Sequence, residues 1–111
     1  MKSYNGFSGE HRTMVGKIIN QMVKDGELMK AAECNRCVQT KGILHYHLED
    51  YNLPVTEEKI EHLCWRCHMM HHSIKYNPAA VNNYFREVAE GKQYPPIYRH
   101  DFAILNKDHG V

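Results

Sequence analysis

Four cysteines stand at two identical spacings, a pattern typical of a metal site. Cys34 and Cys37 form one C-x-x-C pair, and Cys64 and Cys67 form a second, with 26 residues between the pairs at positions 38 to 63. Two cysteines three residues apart at a turn direct both sulfurs at one ion, and two such pairs complete a tetrahedron. Because thiolates suit zinc and a reducing compartment disfavours disulfides, the sequence predicts a structural Zn²⁺ held by all four sulfurs.

The chain is also rich in histidine, with nine among 111 residues. His68 and His72 follow the second cysteine pair and lie four residues apart. On a helix, their imidazoles would project from one face, one turn apart, and could share a second metal ion. His71 falls on the face of Cys64 and Cys67 and is an alternative partner of the zinc.

A second group of chemically active side chains lies between the cysteine pairs. His45 and His47 alternate along a predicted short strand at 43–48, so both leave the same side of it. Glu49 and Asp50 come directly afterwards. Two roles are open for these acids: metal binding, and hydrogen bonding to their own backbone, which is common for acidic residues in turns.

Together these residues resemble the HNH family of endonucleases, whose core is the ββα-metal or His-Me finger. The likeness is carried by the first C-x-x-C pair, by HYHLEDY at 45–51 and by LCWRCHMMHH at 63–72. The last segment matches the family pattern Leu-Cys-x-x-Cys-His-x-x-x-His position by position. The resemblance covers about a third of the chain, from Cys34 to His72.

The resemblance implies a metal-dependent enzyme that hydrolyses DNA phosphodiester bonds and leaves a 5′-phosphate. His68 and His72 match the helix ligands of the catalytic ion, expected to be Mg²⁺ or Mn²⁺, with Ni²⁺ as an alternative because imidazoles also bind nickel. His47 matches the general base that activates the attacking water. Arg66 and Lys75, expected on the same helix, are the predicted contacts to DNA phosphates.

The strand departs from the family pattern, which usually places a metal ligand and the base side by side. Here the segment is Tyr46-His47-Leu48. If His47 is the base, the third ligand comes from one of four sources: His45, Glu49, Asp50 or water. A gapless alignment on the following Asp-Tyr pair would instead put His47 at the ligand position and Leu48 at the base position, and would predict an impaired enzyme.

The elements that position these residues begin with a helix. Ser8 is a suitable N-cap for a helix that runs to about Lys24 with apolar residues at helical spacing, and Asp25-Gly26 ends it. After the predicted strand at 43–48 comes a polar loop. The length of the chain suits one domain, residues 1–111, with the N-terminal helix in residues 1–30.

The second cysteine pair leads into a helix predicted from His68 to about Tyr76. Asn77-Pro78 closes it and opens a C-terminal helix, which Gly91 ends. The tail from Gln93 is expected to be extended and to pack back on the domain or on a partner. The predicted class is a small α+β fold with a zinc-stapled ββα-metal core at residues 31–76, flanked by the N-terminal helix and by the C-terminal helix and tail at 77–111.

Charge and hydropathy limit the classes of protein and the cellular location that we expect for this sequence. The net charge of +1 excludes a protein that coats nucleic acid through a general basic excess. No apolar run approaches the ~18 residues of a membrane span, and the N-terminus lacks a secretory signal, so we expect a cytoplasmic location and no membrane partner. Small nucleases of this type are frequent in phages and mobile elements.

Two main functions remain open from the sequence, and a redox protein that uses its C-x-x-C cysteines is a third option that would require labile thiols. With DNA as partner, a single site predicts nicking of one strand by a monomer, and a double-strand break would need a homodimer or two events. The alternative is a non-catalytic, zinc-stabilised module that binds nucleic acid or a protein partner. The near-neutral charge favours the module, whereas the Cys-His-x-x-x-His spacing favours the nuclease.

Overall fold

The fold combines helices with a two-stranded sheet. The computed structural model describes residues 1–101, so the end of the predicted tail, residues 102–111, lies outside the described residues. The elements in chain order are α1 (Gly9–Lys24), β1 (Leu44–Leu48), a 3-10 helix (Glu57–Lys59), β2 (Ile60–Cys64), α2 (Trp65–His72) and α3 (Pro78–Ala89). The two strands pair antiparallel. The predicted small α+β class is confirmed, and within residues 1–101 no helix is long and apolar enough to cross a membrane.

The chain divides into two compact units. The first, here the helix unit, comprises Met1–Lys30 and His47–Glu61. The second, here the cysteine unit, comprises Ala31–Tyr46 and the described residues from His62 onward. All four cysteines belong to the cysteine unit, so the candidate zinc site is contained in one compact part of the chain.

Helix α1 dominates the helix unit and has the predicted bounds. The Ser8 hydroxyl accepts a hydrogen bond from the backbone N–H of His11 at 3.1 Å, which satisfies one of the unpaired donors of the first turn. Val15 and Ile19, one turn apart, are almost completely buried. An N-cap followed by an apolar stripe is therefore enough to specify this helix.

The cysteine unit has a core built around sulfur. Its buried cluster comprises Cys34, Leu63, Cys64, Cys67, Tyr84 and Val88. Helix α2 packs against α3, and α3 begins as predicted, with the Asn77 side chain accepting from the backbone N–H of Ala80 at 3.2 Å. Three of the six core residues are cysteines, so a metal held by them would support much of this core.

Helix α2 begins earlier and ends earlier than predicted, at Trp65 rather than His68 and at His72 rather than Tyr76. The start is displaced because Cys64 takes the N-cap position, with its Sγ accepting from the backbone N–H of Cys67 at 3.4 Å. Lys75 therefore lies in the turn after α2 and not on it. Strand β2, which leads directly into this cap, was not among the predicted elements.

The tail from Gln93 packs back on the cysteine unit. The Gln93 amide donates to the carbonyl of Cys37 at 3.2 Å, and the backbone N–H of Ile43 donates to the carbonyl of Ile97 at 2.7 Å. Gly42 makes this approach possible, because its φ is +77° and an added Cβ would lie 2.5 Å from the Ile97 carbonyl oxygen. The expectation of an extended tail that returns to the domain is confirmed within residues 93–97.

Candidate functional site

The four cysteines converge as predicted. Cys34 and Cys37 lie on a turn, Cys64 ends β2, and Cys67 lies in the first turn of α2. Asn35 fixes the turn to β2, since its backbone N–H donates to the carbonyl of His62 and its side-chain oxygen accepts from the His62 N–H, both at 2.7 Å. This reciprocal pair holds the first cysteine pair against the strand that delivers the second.

The spacing of the sulfurs fits a tetrahedral metal site. All four Sγ atoms lie within 4.8 Å of one another, and those of Cys37 and Cys64 are 3.6 Å apart. Four sulfurs at ~2.3 Å from a zinc ion would be separated by about 3.8 Å, whereas a disulfide needs about 2.05 Å. The four-cysteine cluster could therefore bind a metal ion such as zinc.

The titration of the crowded thiols is strongly uneven. Hydrogen bonds from Cys64 and Cys67 lower the pKa of Cys34, while the pKa of Cys67 is raised by its hydrogen bonds to Cys34 and Cys64. Burial raises the pKa of Cys37 to about 12. Since metal ligation requires thiolates, a divalent cation must displace the protons that Cys37 and Cys67 otherwise retain, and binding is coupled to proton release.

A tyrosine hydroxyl, which the sequence did not predict as part of the site, supplies a hydrogen-bond donor to the cysteine cluster. The Tyr84 hydroxyl lies 3.2 Å from the Sγ of Cys67. Burial raises the pKa of Tyr84, so this hydroxyl keeps its proton. In the sequence, Tyr84 is only one member of the apolar face of α3; the usable signal is that a buried tyrosine hydroxyl needs a polar partner.

Three imidazoles form a second cluster in the cysteine unit. The Nδ1 atoms of His45, on β1, and His68, on α2, are 2.7 Å apart, and the Nε2 atoms of His68 and His72 are 3.0 Å apart. All three rings are half-buried. The expectation that His68 and His72 share one face of a helix is confirmed, and β1 brings His45 to the same cluster.

Both distances within this histidine cluster lie in the hydrogen-bond range, and the longer one also suits two nitrogens that bind one ion. Two nitrogens bound at ~2.1 Å to one ion are about 3.0 Å apart when they meet at a right angle, so the Nε2 pair of His68 and His72 could hold an ion. A separation of 2.7 Å is a hydrogen-bond distance. His45 therefore lies where a residue that orients His68 is expected, at the ring nitrogen opposite the ion.

His47 lies in the helix unit and is 3% exposed. Its Nε2 is 2.9 Å from Oε1 of Glu49. The other carboxylate oxygen accepts from the Tyr4 hydroxyl and from the Asn5 amide, both at 2.6 Å. Burial and the bond to Glu49 raise the pKa of Tyr4 to about 12. The N-terminal turn thus anchors the carboxylate that orients His47, an arrangement that sequence reasoning missed.

The remaining acid candidate has its own local partners. The Asp50 carboxylate accepts from the backbone N–H of Asn52 at 2.8 Å and lies 3.4 Å from the Lys59 ammonium. The Asn52 backbone N–H and the Lys59 charge lower the pKa of Asp50. Asp50 thus has the backbone-bonding role common among turn acids.

The two predicted phosphate contacts have different surroundings. Arg66 is half-buried, its Nε donates to the carbonyl of Pro95 at 3.0 Å, and its guanidinium lies 5.8 Å from the Tyr94 ring centre. Lys75 is exposed. Arg66 therefore holds the returning tail, and any phosphate contact would use its remaining donors.

His71 lies outside the cysteine cluster. Its ring is edge-on to the His72 ring at 5.5 Å, whereas the four-sulfur group consists of the cysteines alone. The chain thus contains a cysteine cluster, a histidine cluster (His45, His68 and His72) and a His47–Glu49 pair. No protein-family model, curated protein or solved structure matches this chain.

Proposed function

We propose that this protein is a metal-dependent DNA endonuclease of the HNH type, stapled by a structural zinc ion. The observation that carries the proposal is the 3.0 Å separation of the Nε2 atoms of His68 and His72, on the helix that also delivers a cysteine of the four-sulfur cluster. One part of this helix would bind a structural ion, and its adjacent face would bind a working ion. The combination supports the resemblance inferred from the sequence.

The four cysteines are assigned to structural zinc. A site with four protein ligands leaves no position for substrate, which is the arrangement of a scaffold and not of a catalytic metal. In small domains such sites contribute on the order of 10 kcal/mol or more to folding. The near-complete burial of Cys34 and Cys67 agrees with this role.

The working ion is assigned to His68 and His72. Mg²⁺ or Mn²⁺ is the expected ion, and Ni²⁺ is an alternative that imidazoles favour. When bound, such an ion polarises the scissile phosphate and stabilises charge on the leaving oxygen. The chain's own part is to orient these imidazoles. Burial lowers the pKa of His45, so His45 is neutral and accepts a hydrogen bond from the Nδ1–H of His68. This hydrogen bond would leave the Nε2 of His68 available to the ion. His68 and His72 would hold the ion, and its remaining ligands would come from outside this pair.

His47 is assigned as the general base. An ionised carboxylate only accepts hydrogen bonds, so the contact with Glu49 places the His47 proton on Nε2 and makes Nδ1 the basic nitrogen. Nδ1 would then take a proton from the water that attacks the phosphate. Because Tyr4 and Asn5 hold the other oxygen of Glu49, the imidazole is oriented before substrate arrives.

Nicking of supercoiled plasmid tests the proposal. Pure zinc-loaded protein is incubated with Mg²⁺, Mn²⁺, Ni²⁺ or EDTA, and the open-circular product is quantified. The His68→Ala variant should lose metal-dependent nicking, whereas His100→Ala, whose side chain is 72% exposed, is the matched control and should retain it. Absence of nicking by folded wild-type protein with every ion would contradict the nuclease proposal.

The alternative function is a zinc-stabilised module without catalysis, binding nucleic acid or a protein. Two observations favour it: the net charge of +1 and the engagement of Arg66 with the tail. In either case we propose a cytoplasmic setting, where the four thiols are available to a metal. Sedimentation of the protein alone and with a DNA duplex would distinguish a nicking monomer from a homodimer.

A further inference from the structure

The Tyr84 hydroxyl is placed to act on the cysteine cluster. It lies 3.2 Å from the Sγ of Cys67, and both residues are buried, with exposed fractions of 4% and 0%. A zinc ion with four thiolates carries a net charge of −2. Such a buried anion is stabilised by hydrogen-bond donors directed at its sulfurs, because they replace the water it has lost.

The returning tail holds Tyr84 in place. The ring of Tyr94 packs on the ring of Tyr84 with centres 5.0 Å apart and planes at 34°. Tyr94 is itself held by the ammonium of Lys92, 4.8 Å from its ring centre, and by a hydrogen bond from its hydroxyl to Glu87. The side-chain amide of Gln39 donates to the Tyr94 carbonyl at 3.3 Å. Three partners, Lys92, Glu87 and Gln39, thus fix the residue that packs on Tyr84.

The tail also closes the space beside the sulfurs. The cavity bounded by Cys37, Cys64 and Tyr84 on one side and by Tyr94 and residues 95–97 on the other has a volume of about 10 Å³. This volume holds no more than one water molecule. A chelator or an oxidant must therefore displace the tail before it reaches the metal from this side.

We propose that Tyr84 is a positioning residue of the zinc site, donating a hydrogen bond to the zinc-bound thiolate of Cys67, and that residues 94–97 form a strap that shields this site. The inference rests on the zinc occupancy proposed above and is independent of nuclease activity. The hydrogen bond withdraws electron density from the sulfur, which makes the thiolate less reactive toward acids and oxidants. The strap adds a steric barrier.

Zinc release to an excess of a coloured chelator tests both parts. Loss of a hydrogen-bonding partner of a metal ligand typically costs 10–100-fold in metal affinity, so Tyr84→Phe should release zinc about tenfold faster. The substitution keeps the ring that packs on Tyr94. Tyr76→Phe, at a side chain 89% exposed, is the matched control and should behave as wild type.

Cobalt substitution distinguishes an effect of the hydrogen bond on the metal site from an effect of packing alone. In Co²⁺-loaded Tyr84→Phe, the sulfur-to-cobalt charge-transfer band should move to lower energy, because the Cys67 sulfur becomes a stronger electron donor. Gly42→Ala, which displaces the strap at Ile97, should speed zinc release without moving this band.

Wild-type release rates and an unmoved cobalt band in a folded Tyr84→Phe protein would overturn the inference. A wild-type protein purified without zinc and unable to bind it would overturn the zinc proposal, and this inference with it.

Discussion

Substitution of His45 tests whether this residue binds the working ion or orients one of its ligands. His45 contacts Nδ1 of His68, whereas His72 contacts Nε2 on the other side of the same ring. A single nitrogen of His68 cannot both bind the ion together with His72 and form a hydrogen bond with His45, so the two contacts use different nitrogens of the ring. The geometry therefore predicts that the three imidazoles contribute unequally to metal binding.

The magnitude follows from this division of roles. Removing a partner that orients a ligand typically weakens metal binding 10–100-fold, or about 1.4 to 2.8 kcal/mol. We expect His45→Ala to fall in this range and His72→Ala, which removes a ligand, to lose more. His45→Asn should recover most of the loss, because its side-chain oxygen can accept the hydrogen bond of His68 Nδ1.

Titration calorimetry with Mn²⁺ or Ni²⁺ on protein already loaded with zinc measures these affinities. Circular dichroism of each variant, compared with wild type, controls for folding. Equal losses in His45→Ala and His72→Ala would show that His45 is a ligand and would refute the orienting role. Wild-type affinity in His45→Ala would show that the 2.7 Å contact has no function.

Three further predictions concern stability. Removal of zinc by a strong chelator should abolish most of the helical circular-dichroism signal, since metal binding supplies much of the folding energy; a folded apo-protein would contradict structural zinc. Leu63→Ala deletes a fully buried side chain and should destabilise the zinc-loaded protein by about 3 kcal/mol in urea unfolding; a loss below about 1 kcal/mol would contradict tight packing. Hydrogen bonds from Tyr94 and Lys92 lower the pKa of Glu87. The contribution of Glu87 to stability is therefore present above the ordinary glutamate pKa and is lost as the pH falls through the lowered pKa. A stability difference between wild type and Glu87→Gln that does not shrink from pH 6 to pH 3 would contradict this prediction.

Local signals in the sequence were sufficient for two of the helices. Helix α1 has a serine cap, an apolar stripe and an Asp-Gly stop, and α3 has the cap and first residue in Asn77-Pro78. Each signal acts within a few residues and needs no distant contact. The cysteine cluster was predictable for a related reason, since the C-x-x-C spacing itself carries the geometry of a metal knuckle.

The start of α2 and the existence of strand β2 could not be predicted from the residue types alone. Cysteine is not a common helix cap, yet Cys64 caps α2 because the turn that delivers its sulfur also directs it at the N–H of Cys67. Strand β2 contains Glu61 and His62, which weaken its apolar alternation. His62 is nevertheless 8% exposed, because Asn35 pairs with its backbone and the ring of Tyr46 packs against its imidazole.

Two partners of the site residues could not be predicted, because they are distant in sequence. The contact between His45 and His68 joins positions 23 apart, and that between Cys67 and Tyr84 joins positions 17 apart. The spacing of the helix histidines follows from the helical repeat alone. Which side chain approaches the second nitrogen of an imidazole, or the lone pair of a sulfur, depends on how the elements pack.

The most direct test of the proposed function compares wild type with His47→Ala in two readouts on the same zinc-loaded protein. We expect the variant to bind Mn²⁺ with wild-type affinity but no longer to nick supercoiled plasmid, because it has lost a base and not a ligand. His100→Ala should match wild type in both. Wild-type nicking by His47→Ala would contradict the assignment of the base, and loss of Mn²⁺ binding would show that His47 is a ligand instead.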